Sequence, residues 1–162
     1  MRTTTMDESV QSEVAIAVAR FDLRSRTVEP FGVFLSLAVF SDALEAHCRG
    51  RDHRPTGPIS VDQDLCGSVY AAGADGRVVA EFHLIANDGS RYGEAGGVAG
   101  FALACDGDGS VYDVYPCGIY ASEAEIRDLD AFERRVIKGI GDRPSRWLIV
   151  PFPAGSGDRR AR

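Results

Sequence analysis

The spacing of apolar and polar residues along this chain changes period several times, and each change marks an element. From Glu13, the residues Val14, Ile16 and Val18 alternate with Ala15, Ala17 and Ala19. Period two with β-branched side chains predicts a strand over 13–23. A helix using Val10, Val14, Val18 and Phe21 is the competing reading. Arg24-Ser25-Arg26 then turns the chain. Pro30 and Gly32 interrupt the next segment, and residues 33–40 are apolar on both sides except at Ser36. Periodicity alone leaves this run as either a buried strand or a buried helix. The residues after it favour the strand, because Asp42-Ala43-Leu44-Glu45 has the form of a capping box and starts a helix near Ala43 that ends at Gly50.

The segment 65–120 reads as two hairpins. Residues 66–72 and 77–86 flank Gly73-Ala74-Asp75-Gly76, and Asp-Gly favours a tight hairpin turn because both central residues adopt positive φ. With Asp75-Gly76 as the two loop residues, Ala74 pairs with Arg77. Tyr70 then lies opposite Glu81, Ser68 opposite His83 and Cys66 opposite Ile85. The other face carries Val69, Val78, Phe82 and Leu84, an apolar set suited to a core. Residues 98–105 and 110–115 form the second hairpin around Asp108-Gly109. Its register puts Phe101, Leu103 and Cys105 on one face with Val114 and Tyr112, and Ala102 and Ala104 on the other with Tyr115 and Asp113. Pro116 ends the last strand or leaves it at an edge.

A helix comes next. Ser122-Glu123-Ala124-Glu125 is a capping box, and Ile126, Leu129, Phe132, Val136 and Ile140 form one stripe at helical spacing. Acidic residues at its start and Arg134, Arg135 and Lys138 at its end suit the macrodipole. Residues 146–150 read as a short final strand stopped by Pro151 and Pro153. The fold class expected is α+β: a mainly antiparallel β-sheet of two or more hairpins packed against one long C-terminal helix over 123–138, with a second short helix. It forms one domain over 13–153, between a flexible tail at 1–12 and a disordered tail at 154–162.

Composition narrows the function without naming it. A net charge of -6 with 26% charged residues argues against backbone-driven nucleic-acid binding, which needs a basic footprint. The longest apolar run is half the ~20 residues of a membrane-spanning helix. The N-terminus has acidic residues early and no apolar core, so a cytoplasmic location is expected. Four cysteines, Cys48, Cys66, Cys105 and Cys117, lack C-x-x-C spacing and read as small apolar residues, Cys66 and Cys105 within strands.

Several motifs bear on chemistry. The glycine run at 93–100 lacks both the Gly-Lys-Ser/Thr ending and the G-x-G-x-x-G spacing of phosphate loops. Asp106, Asp108 and Ser110 resemble a calcium loop, but its sixth position is Val111 and its closing glutamate is replaced by Cys117. His47, Cys48, Asp52 and His53 match no standard zinc spacing, so no metal and no cofactor is expected. No G-x-S-x-G elbow supports a nucleophile. The loop from Arg49 to Arg54 collects basic residues in an acidic chain and reads as a solvated loop or an anion contact.

The face that remains carries Ser68, Tyr70, Glu81 and His83, joined by Asp113 and Tyr115 if the second hairpin continues the sheet. His83 is the candidate general acid or base and Glu81 its partner, with Ser68, Tyr70, Asp113 and Tyr115 as candidate substrate-binding residues. Two function classes are compatible with this face. One is an acidic binding module (inhibitor, antitoxin-like or adaptor) that meets a partner protein through a sheet face. The alternative is a metal-free small-molecule binder or an enzyme of isomerase, cyclase or lyase type. The first is preferred, because the chain is acidic and carries no firm catalytic motif.

Overall fold

A computed structural model describes residues 14–87, 97–127 and 145–153 of the chain. The strand expected from Glu13 is β1 (Ala15–Asp22), which pairs with β2 (Thr27–Phe34) on one side. On its other side lies β5 (Val78–Asn87), followed outward by β4 (Cys66–Ala72) and β3 (Arg54–Thr56). These five strands form one antiparallel sheet. A second, three-stranded sheet has β6 (Val98–Cys105) at its centre, between β7 (Val111–Tyr120) and β8 (Ser145–Pro151).

The alternation read in β1 sorts two cores. Val14, Ile16 and Val18 point to one side, where they meet Phe40, Leu44 and Cys48 of helix α1 (Leu37–Arg49) and Phe82 and Leu84 of β5. Ala15, Ala17 and Ala19 point to the other, where Phe101, Leu103, Val114 and Val150 of the second sheet pack on them with Phe21 and Ile85. Both faces of β1 are apolar because both are covered. The row of alanines leaves room for the larger side chains of the second sheet, among them Phe101, Leu103 and Val114.

The expected arrangement, one sheet under a long C-terminal helix, is therefore corrected. The second hairpin does not extend the first sheet; it forms a sheet of its own that covers one face, and α1 covers the other. No long C-terminal helix is found among the described residues. Residues 123–127 are helical, and Ile126 is buried against Gly100, where an added Cβ would lie 3.1 Å from Ile126 Cδ1 and 3.0 Å from Tyr120 Cε2. The remainder of the expected helix and both expected tails lie outside the described residues.

A second correction concerns residues 33–40. Only Val33 and Phe34 belong to a strand, and the run continues as the first turn of α1. Ser36 is the N-cap, its Oγ accepting from Val39 N at 3.1 Å. Asp42 and Glu45, read as the cap, sit exposed within the helix. Pro30 and Gly32 are accommodated inside β2, because it is an edge strand and its register shifts beside Val18 and Ala19. Pro116 is likewise tolerated in β7 at the edge of the second sheet.

Both hairpins use one device that the sequence reading missed. The loops have three residues, not two: Gly73 N donates to Arg77 O at 2.9 Å and Gly76 N to Gly73 O at 2.9 Å. In the second hairpin Asp106 N donates to Ser110 O at 2.8 Å and Gly109 N to Asp106 O at 2.9 Å. Each is a turn followed by a left-handed glycine, with φ +83° at Gly76 and +89° at Gly109. Asp75 Oδ1 and Asp108 Oδ1 brace the loops by accepting from Arg77 N at 3.0 Å and Ser110 N at 2.9 Å.

A bulge then restores the register. Ala72 pairs with Val78, but Ala71 pairs with Ala80, so Val79 is the unpaired residue. Cys105 pairs with Val111, but Ala104 pairs with Asp113, so Tyr112 is its counterpart. Beyond the bulges, Tyr70–Glu81, Ser68–His83, Cys66–Ile85, Ala104–Asp113 and Ala102–Tyr115 pair as the sequence reading has them. Val78 and Tyr112 do not follow it: Val78 is 43% exposed, and Tyr112 packs on the outer face of the second sheet with Ala102 and Ala104.

The loop glycines give a contained test. Gly109→Ala forces an L residue into left-handed backbone, so it is expected to cost about 1 kcal/mol. Gly107→Ala, in the same loop with open space around it and no such backbone, should change the urea midpoint little. Equal losses for both would refute the loop geometry.

Candidate functional site

Glu81 and His83 are neighbours on one face of β5, because residues two apart in a strand point the same way. Glu81 Oε1 lies 2.9 Å from His83 Nε2, with side-chain exposures of 24% and 10%. On one side their cross-strand partners are Tyr70 and Ser68 of β4, and on the other Phe21 and Ala19 of β1. The second sheet packs over Phe21, Ala19 and Ile85, with Cys66 at its margin, and Cys66 Sγ reaches Pro116 O of β7 at 3.9 Å. Ser68 and Tyr70 remain exposed, Tyr70 by 40%. The four residues form a strip that begins under the second sheet at His83 and opens to solvent at Tyr70.

Asp113 and Tyr115 do not join them. They bond to each other, Tyr115 Oη donating to Asp113 Oδ2 at 2.9 Å, beside the cross-strand residues Ala104 and Ala102. Those alanines belong to the outer layer with Trp147 and Cys117, on the side of the second sheet turned away from the first. The thickness of the second sheet separates the two groups. Their sharing a face required a continuous sheet, and the chain builds two.

The residues considered as a zinc set are spread apart. Cys48 is buried in the core under α1, and burial raises its thiol pKa despite the opposing charges of Arg20 and Arg51. His47 stands edge-on to Phe31 at 5.1 Å and to Phe82 at 5.9 Å between centroids. Among the described residues no three His, Cys, Asp or Glu side chains gather as a metal site would need.

Arg20 holds a polar group that sequence reasoning passed over, and His47 one that it weighed only as a metal ligand. Arg20 points to the α1 side of β1, within 3.4 Å of Asp22 Oδ2 and 3.6 Å of Glu29 Oε1. Arg51 Nη1 lies 3.3 Å from His47 Nδ1. A guanidinium only donates, so Nδ1 accepts and the ring hydrogen sits on Nε2. That Nε2 and Arg20 Nε are buried and have no hydrogen-bond partner among the described residues. A buried donor left so costs about 1–3 kcal/mol. Arg20 is the one charged residue in the alternating β1 pattern before Asp22, and that was its signal in the sequence.

Burial holds the His47 pKa below its ordinary 6.5, and the charges of Arg51, Arg20 and His53 act the same way against a smaller opposing effect of Glu29. The unfolded chain therefore binds this proton more readily than the folded one. Stability contributed by neutral His47 is present above pH 6.5 and is lost as pH falls from there toward the lower folded value. Urea midpoints measured from pH 7.5 down to 5 should fall for the native chain, and His47→Leu should remove that part of the slope. An unchanged slope in the variant would show that His47 does not titrate this way.

No protein-family model, curated protein or solved structure matches the chain, so similarity assigns it to no family.

Proposed function

We propose that the protein is a binding module that meets a partner protein through the open strip of Ser68, Tyr70 and Glu81. The observation that carries this reading is the gradient of exposure along the strip. Tyr70 is one of few large apolar side chains left exposed among the described residues, and it stands directly across from Glu81. An aromatic ring beside a carboxylate suits the centre of a small interface, where a partner's basic side chain pairs with the acid and packs on the ring. The net charge of -6 favours encounter with a basic partner.

The enzyme reading keeps one specific support, the Glu81–His83 hydrogen bond, since a carboxylate that orients an imidazole is a common acid/base arrangement. Burial weighs against it: His83 is 8% exposed, and its Nε2 is already occupied by Glu81. A substrate would have to displace the second sheet or the carboxylate to reach the ring.

Tyr70→Ser and Glu81→Lys test the proposal, because both change the strip without opening the core. With thermal melts unchanged, both variants are expected to lose a partner that the native chain retains in affinity capture from its own cells. A partner retained equally by native chain and variants would place recognition elsewhere.

A further inference from the structure

Three turns distant in sequence meet at one end of the five-stranded sheet, on the side of the β1–β2 turn. They are that turn itself, the link between α1 and β3, and the loop between β4 and β5, and they line an open groove of about 580 Å³. We propose that this groove binds a small oxyanion, either inorganic phosphate or the phosphate of a small monoester, through Arg24, Arg51 and Arg77 with His53.

Charge is the first support. Arg24, Arg51 and Arg77 line the groove with His53, against the two carboxylates Asp52 and Asp75, in a chain whose net charge is -6. Local positive charge inside an acidic molecule concentrates anions at that place. The dipole of α1 accounts for basic residues at its C-terminal end, where His47 and Arg49 lie in the last turn. It does not account for Arg24 and Arg77, which arrive from two unrelated hairpin turns. One of the two carboxylates is already engaged, since Asp75 Oδ1 accepts from Arg77 N and holds the loop. The Arg77 side chain is 88% exposed, and its Nε lies 3.8 Å from Asp75 Oδ2, an exposed ion pair of little strength.

The second support lies behind the groove wall. Arg51 belongs to the wall and also reaches His47 Nδ1, beyond which the Nε2 of His47 and the Nε of Arg20 are buried donors without acceptors among the described residues. A protein seldom keeps buried donors without acceptors, and such groups recur where a structure serves a ligand. His47 is neutral and Arg20 is paired with Asp22 and Glu29, so these two place N–H donors behind Arg51 while the positive charge comes from the arginines of the groove itself. Arg51 is the link: when its guanidinium turns to an anion, the hydrogen bond to His47 Nδ1 weakens and the ring registers the event.

The chain has three histidines, and they make the test direct. His53 lines the groove, His47 stands behind it, and His83 lies on the opposite face of the same sheet. Ring resonances of the full chain are followed by NMR at fixed pH and ionic strength, during titration with inorganic phosphate and separately with phenyl phosphate. His53 and His47 are expected to shift together with one saturable midpoint while His83 stays still. Arg51→Gln should weaken the midpoint about tenfold, the effect of losing one charge-assisted contact. Arg24→Gln and Arg77→Gln, in exposed turns, carry the same comparison if the Arg51 variant folds poorly. A tighter midpoint for phenyl phosphate identifies an ester as the natural ligand class, and equal or weaker binding identifies the free anion. Absence of saturation, equal movement of all three rings, or unchanged midpoints in the arginine variants would overturn the proposal. Because Tyr70→Ser leaves the groove intact, failure here is separate from failure of the partner-protein reading.

Discussion

Phe82→Ala is expected to lower the free energy of unfolding by about 4 kcal/mol, in the middle of the range for loss of a buried ring. Phe82 has no exposed surface and lies where β5, β2 and α1 meet. Its ring is 5.0 Å from Phe31, 5.9 Å from His47 and 6.4 Å from Phe40, centroid to centroid. Removing it takes an edge-to-face partner from Phe31 and His47 and a tilted one from Phe40, and leaves a cavity beside the helix. Thermal midpoints should drop by roughly 8–16 °C for a chain of this size. Val78→Ala is the matched control, because the sequence pattern puts both residues on one apolar face whereas the bulge turns Val78 to solvent. A change within about 0.5 kcal/mol is expected for it. Similar losses at both positions would mean that β5 has no bulge.

The second large effect is expected at Gly67, from crowding in place of a void. A Cβ built there falls 2.2 Å from the carbonyl oxygen of Ser60 and 3.4 Å from Val61 Cα. Both obstacles are backbone, so no side chain can swing aside. Val61 is fully buried in the α1 core, which pins the segment that crosses β4. Gly67→Ala must push strand and segment apart, at about 3 kcal/mol. A denaturant titration showing less than about 1 kcal/mol would indicate that the crossing segment is free to lift away.

Much of the strand layout was legible because period two survives wherever a strand has two unlike faces. Residues 66–72 and 98–105 match the strands in full. The Tyr70–Glu81 and Ser68–His83 pairs were also readable, though the turn behind them was one residue longer than read and a bulge at Val79 cancelled the difference. The start of α1 was hidden by continuity: an apolar run crosses from the end of β2 into the helix, and its only polar residue, Ser36, is the cap. Whether two hairpins share a sheet is not written in either one. Alternation fixes which residues share a face of a strand, and the partner of that face is chosen by the whole chain. Ala15, Ala17 and Ala19 did hold a clue, since small apolar residues on the second face of β1 imply a cover for it.

The candidate site divides in the same way. Glu81 and His83 could be placed together from spacing alone, but Asp113 and Tyr115 depended on how the two hairpins are distributed between sheets. The groove combines three turns whose proximity no local pattern encodes. Only the basic character of the Arg49–Arg54 loop was visible beforehand.

The coupling of each three-residue loop to a bulge a few positions away has a consequence for how these hairpins can change length. Removing one residue from the loop at Asp75 alone would move Tyr70 and Ser68 to the face of Phe82 and Leu84. Removing Val79 alone would do the same from the other direction, and would also withdraw the carbonyl that Leu23 N uses at 3.1 Å. Only the double deletion restores the pairing. The loop and the bulge are thus two halves of a single length adjustment, and viable insertions or deletions in either hairpin should come in pairs.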